Sequence, residues 1–260
     1  MEGGSTAQVR GMARRPNRSS FFLVVASVFL ALVLVAFSTT FYLRPFTGVK
    51  DRLGAGFPAH LLFHGIVLTA WFAIFVLQSA LVRGGRVGSH RVLGRIGILI
   101  AILVVVSGVQ TSYLGIHRTV AVGLPANSET PIVIGNFVSM LFFTGLFAFA
   151  VKYRRYPETH KRLMLFASLT IMGPTFGGPE IRPLGDFLFQ VIPRIGSYQA
   201  DPYLVTTVMV FLAVAIFDKR TKDRVQVATL VGGGAVFVRI LLARTIASTE
   251  LGENIVRQLA

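Results

Sequence analysis

Five histidines are the residues best suited to chemistry in this sequence: His60, His64, His90, His117 and His160. All fall near the ends of apolar stretches. Neutral imidazole is a good axial ligand for haem iron. His60 and His64 lie one helical turn apart, and Trp71 and Gln78 continue the same stripe at spacings of seven. Polar groups on a membrane helix face the bundle interior or a cavity, so this stripe should look inward. The next apolar stretch offers Gly97, Ala101, Gly108 and Thr111 on one face. Residues that small allow close helix packing, and a flat cofactor could use the same gap. Trp71 and Gln78 are the candidate lining residues.

Three chemistries compete for these side chains. As haem ligands, they would pair His64 with His117 near one membrane face and His90 with His160 near the other; a quinone is the related redox ligand. As interfacial residues, they would cap helices and touch headgroups. As part of an anion site, His90 and His160 sit at helix N-termini, where free N–H groups favour negative charge. Arg91, Arg95, Lys161 and Arg162 surround them as contacts for a phospholipid headgroup or an anionic solute. A bare metal ion is not expected, because only Glu158 brings a carboxylate to the histidines.

Composition narrows the field further. With no cysteine, disulfides, cysteine-ligated clusters, covalent c-type haem and thiol nucleophiles are excluded. No hydrolase triad, P-loop or dinucleotide fingerprint is visible, and the sequence leans away from an enzyme. The formal net charge of +15 would point to nucleic acid in a soluble protein. Here the basic residues form short runs between apolar stretches, which marks them as topology and headgroup signals. Membrane lipids are therefore the expected partners, with other membrane proteins or further copies of the chain, and no nucleic acid.

The elements that position these residues are membrane helices. Of the 260 residues, 53% are hydrophobic and 14% charged, against about 25% charged in soluble domains. Only lipid can serve as solvent for so much apolar surface. Seven apolar segments follow a basic tail at 1–19, which is expected to be disordered: 21–37, 58–82, 93–114, 131–151, 161–176, 203–218 and 225–245. The first reads as an uncleaved helix, because it is longer than a usual signal-peptide core and no convincing cleavage site follows it. Residues 20–248 are thus expected to form an all-α polytopic bundle of about seven helices, with a C-terminal tail at 249–260. With the N-terminus inside, inner segments hold 17 Lys and Arg and outer loops hold 6. That imbalance predicts a bacterial inner-membrane protein with a cytoplasmic N-terminus.

Local signals agree with this scheme. Pro58, Pro131 and Pro202 stand at the first turns of helices entering from outside, with Thr130 and Asp201 as N-caps. Ser89-His90-Arg91 and Thr159-His160-Lys161 open helices from the inner side, each with Leu two positions later. The echo predicts two related hairpins, 58–114 and 131–176, as in proteins built from membrane repeats. The outer loop 177–200 carries Glu180, Arg182, Asp186 and Arg194 and reads as an amphipathic segment. Arg239 interrupts the last apolar run, either snorkelling outward with Arg244 or pairing inside. The glycine triplet 232–234 before it predicts tight packing or a break.

The run His64-Gly65, Thr69-Ala70-Trp71-Phe72, Gln78, Arg86, His90-Arg91, Leu93-Gly94-Arg95 and Gly97, with the later His160-Lys161-Arg162-Leu163-Met164-Leu165, resembles a family of uncharacterised bacterial multi-pass membrane proteins. The resemblance covers roughly 40–245 and implies the fold rather than an activity. The helix-start histidines also loosely resemble two-haem b-type cytochromes and oxidase-assembly membrane proteins, which would imply haem b. The fourth helix departs from that pattern in lacking histidine. The expectation is an integral inner-membrane protein of accessory or structural role. The alternatives are a redox protein holding haem b or quinone, or a transporter or anionic-lipid-binding protein whose interrupted helices lie near Pro174 and Gly177.

Overall fold

The computed structural model describes residues 19–48, 57–177, 181 and 201–260. The expected tail before residue 19 and nearly all of the loop 177–200, with Glu180, Arg182, Asp186 and Arg194, lie outside the described residues. The described chain is helical: α1 (Phe21–Ala36), α2 (Arg44–Thr47), α3 (Ala59–Arg83), α4 (Val87–Ala121), α5 (Thr130–Lys152), α6 (Pro157–Thr170), α7 (Pro202–Lys222), α8 (Val227–Ala247) and α9 (Glu250–Gln258). Five of these, α3, α4, α5, α7 and α8, are long and apolar enough to cross a membrane. Each needs about 20 residues to span a hydrocarbon core of about 30 Å.

Two of the shorter helices, α1 and α6, are lengthened by neighbouring turns. A π-helical turn, Ser38–Tyr42, and then α2 carry α1 onward. Tyr42 anchors this extension to α3 through a 2.7 Å hydrogen bond with Thr69 Oγ1. A 3₁₀ turn, Gly173–Gly177, follows α6 after a two-residue interruption. Together α6 and this turn reach about 31 Å at 1.5 and 2.0 Å per residue.

Consecutive helices pack as antiparallel neighbours: α3 on α4, α4 on α5, α5 on α6 and α7 on α8, while α8 also closes against α5 and α6. Side-chain contacts show which ends lie together. Phe21 at the start of α1 stacks on Phe217 near the end of α7, with ring centroids 4.4 Å apart. Arg162 at the start of α6 bonds Asp218 in the same last turns of α7. The N-terminal end of α1 and the connections 84–86, 153–156 and 223–226 therefore share one face, rich in Lys and Arg. The opposite face holds the 3₁₀ turn Ala126–Glu129 and α9, joined by Asn127 Nδ2 donating to Glu253 at 3.3 Å.

Burial follows the lipid-solvent logic. On α4 the stripe Gly97, Ala101, Val104, Gly108, Ser112 and Ile116 is buried, while Val92, Ile96, Leu99, Val106 and Val109 are exposed. An apolar stripe so exposed is the expected lipid face of a membrane helix.

Several local expectations need correction. α4 begins at Val87 and runs 35 residues, well past 93–114. Ser89 and Thr159 lie inside α4 and α6, whose cap positions are Arg86 and Tyr156. Thr130 makes no cap bond, because the chain enters α5 directly from a 3₁₀ turn. Asp201 does cap α7, accepting from Tyr203 N at 2.8 Å. The 249–260 tail forms α9, capped by Thr249. The glycine triplet packs rather than breaks: α8 runs through it, with Gly232 against Phe166 and Gly233 against Phe211.

Candidate functional site

The site is built from the two helix starts that echo each other. His90 is the fourth residue of α4 and His160 the fourth of α6. Both helices start on the basic face, which brings the rings together with centroids 6.3 Å apart and planes at 81°. His160 Nδ1 lies 2.8 Å from the Ala150 carbonyl oxygen. A carbonyl only accepts, so Nδ1 carries the proton and Nε2 presents its lone pair. A donated second nitrogen of this kind is what orients a ligating histidine.

His90 and Gln78 complete the inner cluster. His90 Nδ1 and Gln78 Oε1 are buried with no hydrogen-bond partner. Gln78 comes from the last turns of α3 and lies against Gly94 of α4, where a Cβ would stand 3.6 Å from its Nε2. One turn further, Gly97 is buried, yet a Cβ there would meet nothing within 4 Å. His90, Gly94 and Gly97 share one side of α4 by spacing; the open space at Gly97 lies two turns, about 10 Å, along the helix from His90. Leaving buried polar atoms unpaired costs free energy, and His90 Nδ1 and Gln78 Oε1 are two such atoms.

The other histidines form a separate group in the opposite half. His64 Nδ1 lies 2.9 Å from Ser107 Oγ. Ser107 in turn donates to the Val104 carbonyl at 3.3 Å, so its lone pair accepts from His64 Nδ1–H. The antiparallel register that sets His64 opposite Ser107 sets His60 opposite Thr111. His60 Nε2 and Thr111 Oγ1 are likewise buried without partners. His117 does not join them. It lies ten residues beyond Ser107, about 15 Å along the helix, and packs against Tyr113 of its own helix at 4.5 Å. The expected pairing of His64 with His117 is therefore not formed.

Trp71 separates the two clusters. It is buried, donates Nε1 to Ser168 Oγ at 3.3 Å, and meets Phe143 and Phe147 edge-on. It is packed among core side chains rather than lining open space.

The expected anion contacts divide. Arg91 and Arg95 are exposed, as headgroup contacts require. Lys161 is paired with Glu158 at 2.8 Å and lies 4.7 Å from the Phe22 ring centroid. Arg162 is wholly buried, which removes it from any headgroup. Its Nη2 and Nε bond Asp218, and its Nη1 bonds the Glu158 carbonyl at 2.6 Å and Glu158 Oε2 at 2.8 Å. Asp218 also accepts from Gln226 N at 3.0 Å and Thr229 Oγ1 at 2.5 Å. This network ties α6, α7 and α8 together beneath the histidines. Asp218 carries no mark in the sequence beyond being the one acid in the run 203–218.

Chemically, the inner cluster offers two imidazoles and little else. Among the described residues no group of three His, Asp or Glu side chains is placed to hold a metal ion. Two imidazoles suffice for a metal that brings its own equatorial ligands. His90 and His160 would be the two residues to hold such a group, their rings being 6.3 Å apart. Compared with known protein families, curated proteins and solved structures, the chain matches none.

Proposed function

We propose that this chain is an integral protein of a bacterial inner membrane that crosses it seven times, with its N-terminus in the cytoplasm, and that it holds one haem b between His90 and His160. The five membrane-length helices support the membrane placement. α1 and α6, each extended by its following turn, supply the two further passes. The Lys and Arg of the shared basic face support the orientation, since such residues collect on the cytoplasmic side.

The haem reading is carried by one observation. Two histidines from separate helices meet with ring centroids 6.3 Å apart, and two buried polar atoms, His90 Nδ1 and Gln78 Oε1, have no hydrogen-bond partner there. An accessory or structural role accounts for the bundle but leaves these features without a cause. In the haem reading His160 is held in one tautomer by Ala150, and the space a Cβ would take at Gly97 is open on the same side of α4 as His90. Bound haem supplies one-electron transfer; the protein's part is ligation, orientation and burial.

The test is optical. Full-length protein, expressed in haem-replete cells and purified in mild detergent, should show a Soret band that shifts on reduction with dithionite. Folded protein without that band would overturn the reading.

A further inference from the structure

Arg239 is a second place where the bundle holds chemistry it does not use itself. It sits in the second half of α8, 7% exposed. Arg162, the other buried arginine among the described residues, has Asp218 and Glu158 beside it. Arg239 has no carboxylate within ion-pairing distance among the described residues. Its Nε and Nη2 donate to Ser139 Oγ, and Nη2 also donates to the Gly135 carbonyl at 3.2 Å. The guanidinium lies 4.9 Å from the centroid of the Tyr203 ring. Every partner is thus neutral.

The two N–H groups on Nη1 have no acceptor among the described residues. The guanidinium lies beside the start of the 3₁₀ turn that follows α6: a Cβ at Gly173 would lie 3.4 Å from Nη2 and 3.9 Å from Nη1. A side chain at position 173 would therefore stand in contact with the cation. Tyr203 is the second residue of α7, so this place belongs to the half of the bundle away from the basic face. An ionised group inside a membrane bundle marks a functional site by default, and a buried charge calls for a counter-charge.

We propose that Arg239, at the interruption following α6, binds one oxyanion, a carboxylate or phosphate group, entering from the face opposite the basic one. A planar fork of N–H donors suits either group. The group belongs either to a soluble solute or to an acidic phospholipid headgroup. The site is independent of the histidine pair.

Full-length protein in neutral detergent is tested by thermal unfolding against acetate, inorganic phosphate, or phosphatidylglycerol in mixed micelles. Chloride at equal ionic strength and phosphatidylcholine serve as controls. At least one probe should raise Tm by several degrees in a saturable way; a soluble probe identifies a solute site, phosphatidylglycerol alone a headgroup site. Arg239→Met should abolish the shift, and Gly173→Ala should weaken apparent affinity tenfold or more. No shift above the controls, or an equal shift in Arg239→Met, would overturn the proposal. Should Arg239→Met fail to fold, unchanged affinity in Gly173→Ala would overturn it alone.

Discussion

His90 and His160 occupy the same position, the fourth residue, of two helices that start on one face, and their rings meet 6.3 Å apart at nearly a right angle. Such a pair arises only if α4 and α6 run in the same direction with their starts level. The alternating hairpins 84–86 and 153–156 impose that arrangement.

Beneath that pair, the Arg162–Asp218 contact fixes where α6 and α7 sit. Asp218→Ala should lower stability by about 3–5 kcal/mol, because it leaves a buried guanidinium with only Glu158 as counter-charge. Replacing both partners, Arg162→Met with Asp218→Leu, should recover most of the loss. Thermal or denaturant unfolding in detergent checks both variants.

Two neighbouring glycines in α8 should respond in opposite ways. A Cβ at Gly232 would stand 2.5 Å from Cδ2 of Phe166, while at Gly234 it would meet nothing within 4 Å. Gly232→Ala should cost about 1–3 kcal/mol by overpacking. Gly234→Ala should be neutral or stabilise by up to about 1 kcal/mol through helix propensity. The same unfolding measurement separates them.

Sidedness can be read by labelling, because the chain has no cysteine of its own. Single cysteines placed at Ser20, Arg154 and Arg224 should react with a membrane-impermeant maleimide only in inside-out vesicles. Cysteines at Ser128 and Arg257 should react in intact spheroplasts. Labelling of Ser20 and Ser128 from the same side would refute the helix order proposed for the bundle.

The histidine clusters divide what a sequence can reveal from what it cannot. The His60–His64–Gln78 stripe and the small-residue face opposite it were legible, because both follow helical periodicity within one segment. The partner of His64 was not, because it depends on the register of α3 against α4 and on the unexpected length of α4, which carries His117 past the cluster. His90 and His160 could be placed on one face from their similar flanks, but their separation comes from packing. Asp218 was invisible as a partner for Arg162, because the two are fifty-six positions apart in the chain and no local pattern joins them. Arg239 stood out as a charge in an apolar run, yet the choice between snorkelling and burial rested on Ser139, three helices away in sequence. Arg244, by contrast, does reach outward, to Asp201 at 2.6 Å.

The visible spectrum of purified protein against its histidine variants tests the central claim most directly. Wild type and His117→Ala should carry the same Soret band, and His160→Ala or His90→Ala should lose or shift it while remaining folded by circular dichroism. A band that persists unchanged when both His90 and His160 are replaced, or well-folded wild type with no band at all, would contradict haem ligation at this pair.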